Sequence, residues 1–242
     1  MSKRRFDVLL VEKGLVESRQ KAQSLIMAGD VLLNNQIITK PGCLVNNESS
    51  VTLKQKPPFV SRGGVKLAHC LDEFGLDVSS KVVVDVGAST GGFTDCLLQR
   101  GAQKVYALDV GYGQLDYRLR IDPRVVVMDR TNAHYPITLP EKVDLATIDV
   151  SFISVEKVIP NVTPYLTEYG HLLVLLKPQF AANKSEVGKG GVIKDPLVHA
   201  KVIGRFICWA IEHHLRLYGL TPSPLLGPAG NREFLVMLHQ RV

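Results

Sequence analysis

Cysteine is scarce in this chain. Its four cysteines, Cys43, Cys70, Cys96 and Cys208, form no CxxC pair and have no clustered histidines beside them. That pattern argues against a disulfide framework or a zinc site and predicts reduced thiols, with no metal expected. Long apolar runs are missing too. The aliphatic run at 172–176 is far short of the roughly 20 residues that span a bilayer. The opening M-S-K-R-R-F-D leads into no apolar signal segment, so a cytoplasmic protein without membrane partners is expected. Acidic residues fall short of basic ones, 23 against 29, and the shortfall is local. Residues 1–66 carry eleven Lys/Arg against five Asp/Glu, a net of +6, whereas residues 67–242 carry eighteen of each. A positive excess confined to one end suits a polyanion such as nucleic acid.

What is present divides at K-Q-K-P-P-F (54–59), where two prolines break the periodicity. The expected domains are therefore 1–55, a linker at 56–60, and 61–242. In the first, apolar Phe6, Leu9 and Leu10 predict a short helix closed by Gly14, with Asp7 as a candidate cap. Ser18 is the expected N-cap of a second helix that stops at Gly29. V-L-L-N-N-Q-I-I-T reads as a hairpin, and residues 51–53 as another strand.

Beyond the linker, strands alternate with helical stretches: V-V-V-D-V-G, K-V-Y-A-L-D-V, R-V-V-V-M-D, D-L-A-T-I-D-V and H-L-L-V-L-L-K. This is the pattern of an α/β fold with a Rossmann-like, doubly wound, mostly parallel sheet. A long helix is expected at 195–214 and a closing strand at 233–240. Within this frame V-V-V-D-V-G-A-S-T-G-G-F (82–93) is a strand, a glycine-rich turn and a helix start. Gly87, Gly91 and Gly92 are expected to let a ligand approach the backbone. Their spacing is not the G-x-G-x-x-G of a dinucleotide site, and Asp85 would repel a diphosphate. The cationic, phosphate-free S-adenosylmethionine fits better. Asp109, 22 residues after Gly87 at a strand end, is placed to grip ribose hydroxyls, and Asp129 at the next strand end to accept from an adenine amino group.

Four further residues stand out. Lys177 ends the run L-L-V-L-L, where partial desolvation favours the neutral amine of a usable base. Asp149 ends a strand, Glu233 opens the closing strand after G-P-A-G-N-R, and Lys66 lies in the helix that starts the second domain. The glycine-rich loop at 180–195, with Lys184, Lys189 and Lys194, is expected to be mobile and to close over RNA.

R-R-F-D, E-S-R-Q-K-A, I-M-A-G-D-V-L-L-N-N-Q and K-P-G resemble the S4-type RNA-binding domain over about residues 4–55. That resemblance implies RNA contacts for Arg4, Arg5, Lys13, Arg19 and Lys21. S-R-G-G-V-K-L, D-V-G-A-S-T-G-G-F, T-I-D-V-S-F, L-L-K-P-Q-F and G-N-R-E-F-L resemble the FtsJ-like ribose 2′-O-methyltransferases. With the N-terminal domain added, the chain is most similar to the TlyA-type branch, rRNA (cytidine-2′-O-) methyltransferases that often carry a hemolysin label. The resemblance implies a catalytic tetrad of Lys66, Asp149, Lys177 and Glu233. Lys177 would be the base or the group stabilising the developing alkoxide, Asp149 and Glu233 would position it and the hydroxyl, and Lys66 would supply charge. It also implies an S-adenosylmethionine pocket of Asp85, Gly87, Ser89, Gly91, Gly92, Phe93, Asp109 and Asp129, with ribosomal RNA as partner. Arg232 departs from the family's pattern, and an altered substrate entrance is expected there. The competing readings are a membrane-active hemolysin and an RNA-binding protein without catalysis.

Overall fold

The computed structural model describes residues 3–54, 57–183 and 186–240. The chain divides into two compact units, Met1–Pro57 and Pro58–Val242. Gln55 and Lys56, which fall in or beside the expected linker, lie outside the described residues.

The first unit runs β1 (Lys3–Arg5), α1 (Phe6–Glu12), α2 (Arg19–Met27), β2 (Val31–Leu33), β3 (Gln36–Ile37), β4 (Leu44–Asn46) and β5 (Val51–Leu53). Phe6, Leu9 and Leu10 of α1 bury against Ala22 and Ile26 of α2. Gly14 follows α1 at φ +67°, and the Ser18 hydroxyl accepts the Lys21 N–H at 3.2 Å to start α2. Asn34 and Asn35 take φ +49° and +65°, the pair of left-handed residues that turns a two-residue hairpin between β2 and β3. The antiparallel pair β1–β4 was not expected; each strand has three residues and β1 is exposed throughout, so no periodicity marks it.

Asp7 is not a helix cap. It is fully buried, and its carboxylate accepts from Arg5, from Arg19 at 2.9 Å and from Gln23 at 2.8 Å. Hydrogen bonds from Arg5 lead the effects that hold this carboxyl well below the usual carboxylate range, against the opposing cost of burial. Asp7→Asn is therefore expected to lower the protection of α1 and α2 amides against hydrogen exchange, by about 1–3 kcal/mol at pH 7. The native carboxyl titrates below the unfolded one, so the advantage of wild type shrinks as pH falls below about 4.

In the second unit the helices are α3 (Arg62–Glu73), α4 (Gly92–Gln99), α5 (Tyr117–Arg120), α6 (Ile159–Val162), α7 (Pro178–Ala181) and α8 (Pro196–Glu212). The strands are β6 (Val82–Val86), β7 (Lys104–Leu108), β8 (Val125–Met128), β9 (Val143–Ile148), β10 (Leu166–Leu176), β11 (Leu215–Pro222) and β12 (Phe234–Gln240). They form one sheet in the order β11-β12-β10-β9-β6-β7-β8. The run from β10 to β8 is parallel, and β12 is antiparallel to both of its neighbours. Alternation along the strands feeds two cores. Val84, Val86, Ile148 and Val174 pack with Val202 and Phe206 of α8 on one face. Val83, Val105, Leu145 and Leu173 pack with Leu67 of α3 and Leu97 of α4 on the other. Helices therefore cover both faces, as a doubly wound sheet requires. The edge strand β11 escaped the sequence reading because Gly219 and Pro222 look like turn residues and most of it is exposed.

The same alternation places Asp85 beneath α4 rather than at a strand tip. It is fully buried; Thr94 of α4 donates to Oδ2 at 2.7 Å and Thr147 of β9 to Oδ1 at 2.8 Å. The expectation that Asp85 touches a bound cofactor is thus corrected: both oxygens are spent inside the fold, tying β6 to β9 and α4. Burial pushes its pKa up to about 6, opposed by the two threonine hydrogen bonds. Between the unfolded value of 3.8 and about 6 the native state holds the extra proton, so this group's contribution to stability falls as pH rises through that window. Asp85→Asn should shift the stability difference from wild type by about 2–3 kcal/mol in the variant's favour between pH 4 and pH 7. Urea unfolding at the two pH values reads this directly, and an unchanged difference contradicts it.

Candidate active site

Parallel strands end together, so β6, β7, β9 and β10 bring Gly87, Asp109, Asp149 and Lys177 to one edge of the sheet. β12 runs the other way, and the pairing of Phe234 with Leu176 brings Glu233 to that edge as well. Two cavities open there. One, of about 760 Å³, has Lys66, Phe93, Asp149, Lys177 and Glu233 in its wall. The other, of about 480 Å³, lies against Asp109, Asn132 and His134. Gly87, Ser89, Asp149, Ser151 and Phe152 belong to both walls, so the two spaces are neighbours.

The four charged residues pair off. Lys66 Nζ lies 2.5 Å from Glu233 Oε2, with the two side chains 8% and 1% exposed. Lys177 Nζ lies 2.6 Å from Asp149 Oδ1 and donates to Ser151 Oγ at 2.9 Å. Ions so deeply placed persist only in pairs, since an unpartnered charge there costs several kcal/mol. The arrangement sets two lysine–carboxylate pairs into one wall, with the exposed Arg62 beside them as a further positive charge.

The three glycines permit close packing within the fold. A Cβ on Gly87, at φ +85°, would lie 2.5 Å from the Asp149 carbonyl oxygen, so its absence lets β6 close on β9. Gly91 caps α4 in the left-handed conformation at φ +95° and packs against Leu115 and Leu119. Gly92 packs against Ser61 at the start of α3. A side chain at each would strike the protein itself. Gly91 lines neither cavity, whereas Gly87 lines both and Gly92 the larger.

Asp109 lines a cavity. Its oxygens accept from the Ser89 and Gly111 amides, both at 2.7 Å, while the residue lines the smaller cavity. Asp129 does not: it pairs with Arg120 at 3.1 Å and belongs to neither wall. Thr131, Asn132 and His134 line the cavity instead, just beyond it in the chain. Arg232 is exposed and outside both walls, although Asn231 and Glu233 on either side line the larger cavity. Phe152, 91% exposed at φ +64° and packed on Phe180 with ring centroids 5.2 Å apart, was not singled out in the sequence, where a single Phe after T-I-D-V-S carries no periodicity. In the N-terminal unit Arg4, Arg5, Lys13, Arg19 and Lys21 are all exposed. Of the loop lysines, Lys194 is exposed and Lys184 lies outside the described residues.

The smaller cavity suits S-adenosylmethionine. Among its described lining residues are two aspartates and neither Lys nor Arg, a wall that favours a cation and offers nothing to a diphosphate. All four cysteines are free thiols, and among the described residues no helix is long and apolar enough to cross a membrane.

Residues 59–240 match the FtsJ-like methyltransferase family, and residues 4–49 match the S4 domain. The 16S/23S rRNA (cytidine-2′-O)-methyltransferase TlyA of Mycobacterium tuberculosis H37Rv is 42% identical over 97% of this chain and 89% of its own. Hemolysin A of Brachyspira hyodysenteriae is 40% identical over 96% of this chain and 98% of its own. A solved structure from Streptococcus thermophilus is 39% identical and covers 100% of this chain and 90% of that one, with a TM-score of 0.75. The chain therefore belongs to the FtsJ-like methyltransferase family, with an S4 domain ahead of the methyltransferase fold.

Proposed function

We propose that this protein transfers a methyl group from S-adenosylmethionine to a ribose 2′-hydroxyl of ribosomal RNA, the cytidine hydroxyl named for its TlyA relative. The observation that carries the reading is the shared wall: a cavity suited to a cation adjoins one holding two lysine–carboxylate pairs. When bound, S-adenosylmethionine supplies a methyl group on an electrophilic sulfonium. Asp109, fixed by two backbone amides, grips the ribose hydroxyls of the cofactor. A ribose hydroxyl is a poor nucleophile, so its proton must leave as the new bond forms. Lys177, once its own proton has passed to solvent, takes the hydroxyl proton as the base, and Asp149 and Ser151 hold its side chain in place. Lys66, buried against Glu233, supplies positive charge for the developing oxyanion, and Glu233 orients the hydroxyl.

The N-terminal unit grips RNA through Arg4, Arg5, Lys13, Arg19 and Lys21. Buried Asp7 holds Arg5 and Arg19 in fixed directions while their outer surfaces stay in solvent. Such a protein works where ribosomes are made, in the cytoplasm. The hemolysin name of the Brachyspira relative has no counterpart in a spanning helix among the described residues. Four buried or half-buried charges in one cavity are costly for a protein that only binds RNA, which favours catalysis.

Labelled methyl transfer to ribosomal subunits lacking the modification tests the reading. Wild type should label one subunit or both, and Lys177→Ala should lose about 100-fold or more. No labelling by wild type of either subunit or of the assembled ribosome overturns it.

A further inference from the structure

Asn231 is 2% exposed, belongs to the wall of the larger cavity, and has no part in the chemistry above. Its side chain faces the glycine-rich segment 188–193. Oδ1 accepts the Ile193 N–H at 2.9 Å, and Nδ2 donates to the Gly191 carbonyl at 2.8 Å. Its own carbonyl accepts the Gly227 N–H at 2.9 Å, closing the turn that leads into β12. That turn lies on Glu233: a Cβ at Gly227 would stand 2.5 Å from Glu233 Oε1. Gly190 and Gly191, at φ +79° and +75°, line the same cavity.

We propose that Asn231 is a positioning residue, a latch that fastens the Gly190 and Gly191 wall of the cavity to the turn carrying Glu233. The segment held here is part of the loop that the sequence suggests is mobile; Ile193 is anchored in the core, and Asn231 supplies the side-chain hydrogen bonds that tie its backbone to the turn. The latch needs an acceptor and a donor on one short side chain, which an amide provides and a carboxylate does not. Glu233 and the loop are thereby set together, so the wall facing the ribose is complete only when both hydrogen bonds are made. The inference rests on the methyl-transfer reading for its effect on rate, while the latch itself is measurable without substrate.

The test uses the full chain. In Asn231→Ala, hydrogen exchange at the Ile193 amide should quicken by about tenfold or more, the loss expected for a buried hydrogen bond. Methyl transfer to RNA should fall by a similar factor in kcat, with KM for S-adenosylmethionine within about twofold. Asn231→Asp keeps the acceptor for Ile193, so it should protect that amide better than Asn231→Ala does. Gly191→Ala weakens the same segment from its own side, at a left-handed position with open space around the new Cβ. If the two sites act as one device, the double variant is no slower than Asn231→Ala alone. Unchanged exchange at Ile193 in Asn231→Ala overturns the proposal. So do multiplicative effects of the two substitutions, or a KM for the cofactor that rises as far as kcat falls. A wild type that transfers no methyl group counts against the enzymatic reading instead, and the exchange rates still decide the latch.

Discussion

Two charges that cannot be buried alone hold the catalytic edge of this molecule together. Lys66 on α3 and Glu233 before β12 stand 167 positions apart, and both are almost wholly out of solvent. Either one without the other would be an uncompensated ion inside the protein, a loss on the order of 3–5 kcal/mol. Their contact fixes α3 against the start of β12 and makes one wall of the larger cavity. The second pair, Lys177 with Asp149, joins the tips of β9 and β10 and lines the same cavity. Each carboxylate holds its lysine in position and offsets its charge.

The two cavities divide the chemistry by charge. The smaller is lined by Asp109 and Asp149 with neither Lys nor Arg among its described residues, and the larger by the two pairs and Arg62. The smaller is not built to attract a polyanion. The positive excess that does so lies in residues 1–66, mostly in the N-terminal unit, where Asp7 converts two flexible arginines into fixed donors. Recognition of RNA and transfer of the methyl group thus draw on different parts of the chain, and each can be altered without the other.

Much of this is legible in the sequence where a local rule applies. The Ser18 cap, the Asn34–Asn35 turn and the strands from β6 to β10 follow from capping, turn chemistry and apolar runs. The residue types at 66, 149, 177 and 233 stand out, but their pairing does not, because it depends on the antiparallel register of β12. Strand-end acids are harder still. Asp85, Asp109 and Asp129 look alike in the chain, yet one lies beneath α4, one faces a cavity and one is taken by Arg120. The direction in which an acid faces is decided by pleat and neighbours, which a run of letters near a turn does not carry. The glycines signal a close approach, but the sequence does not show that the Asp149 carbonyl is one of the groups that approaches Gly87. Asn231 is a single amide in a turn until the loop 38 residues earlier is seen to hang on it.

The central claim is that cofactor and ribose occupy adjoining but separate parts of this edge, the first governed by Asp109 and the second by Lys177. Calorimetric binding of S-adenosylhomocysteine, the product left after transfer, separates them most directly. Asp109→Ala should weaken binding by about tenfold or more, the loss of a charge-assisted hydrogen bond. Lys177→Met should bind within about twofold of wild type while transferring no methyl group to ribosomal RNA. Equal weakening by both substitutions, or tight binding by Asp109→Ala, would contradict the account.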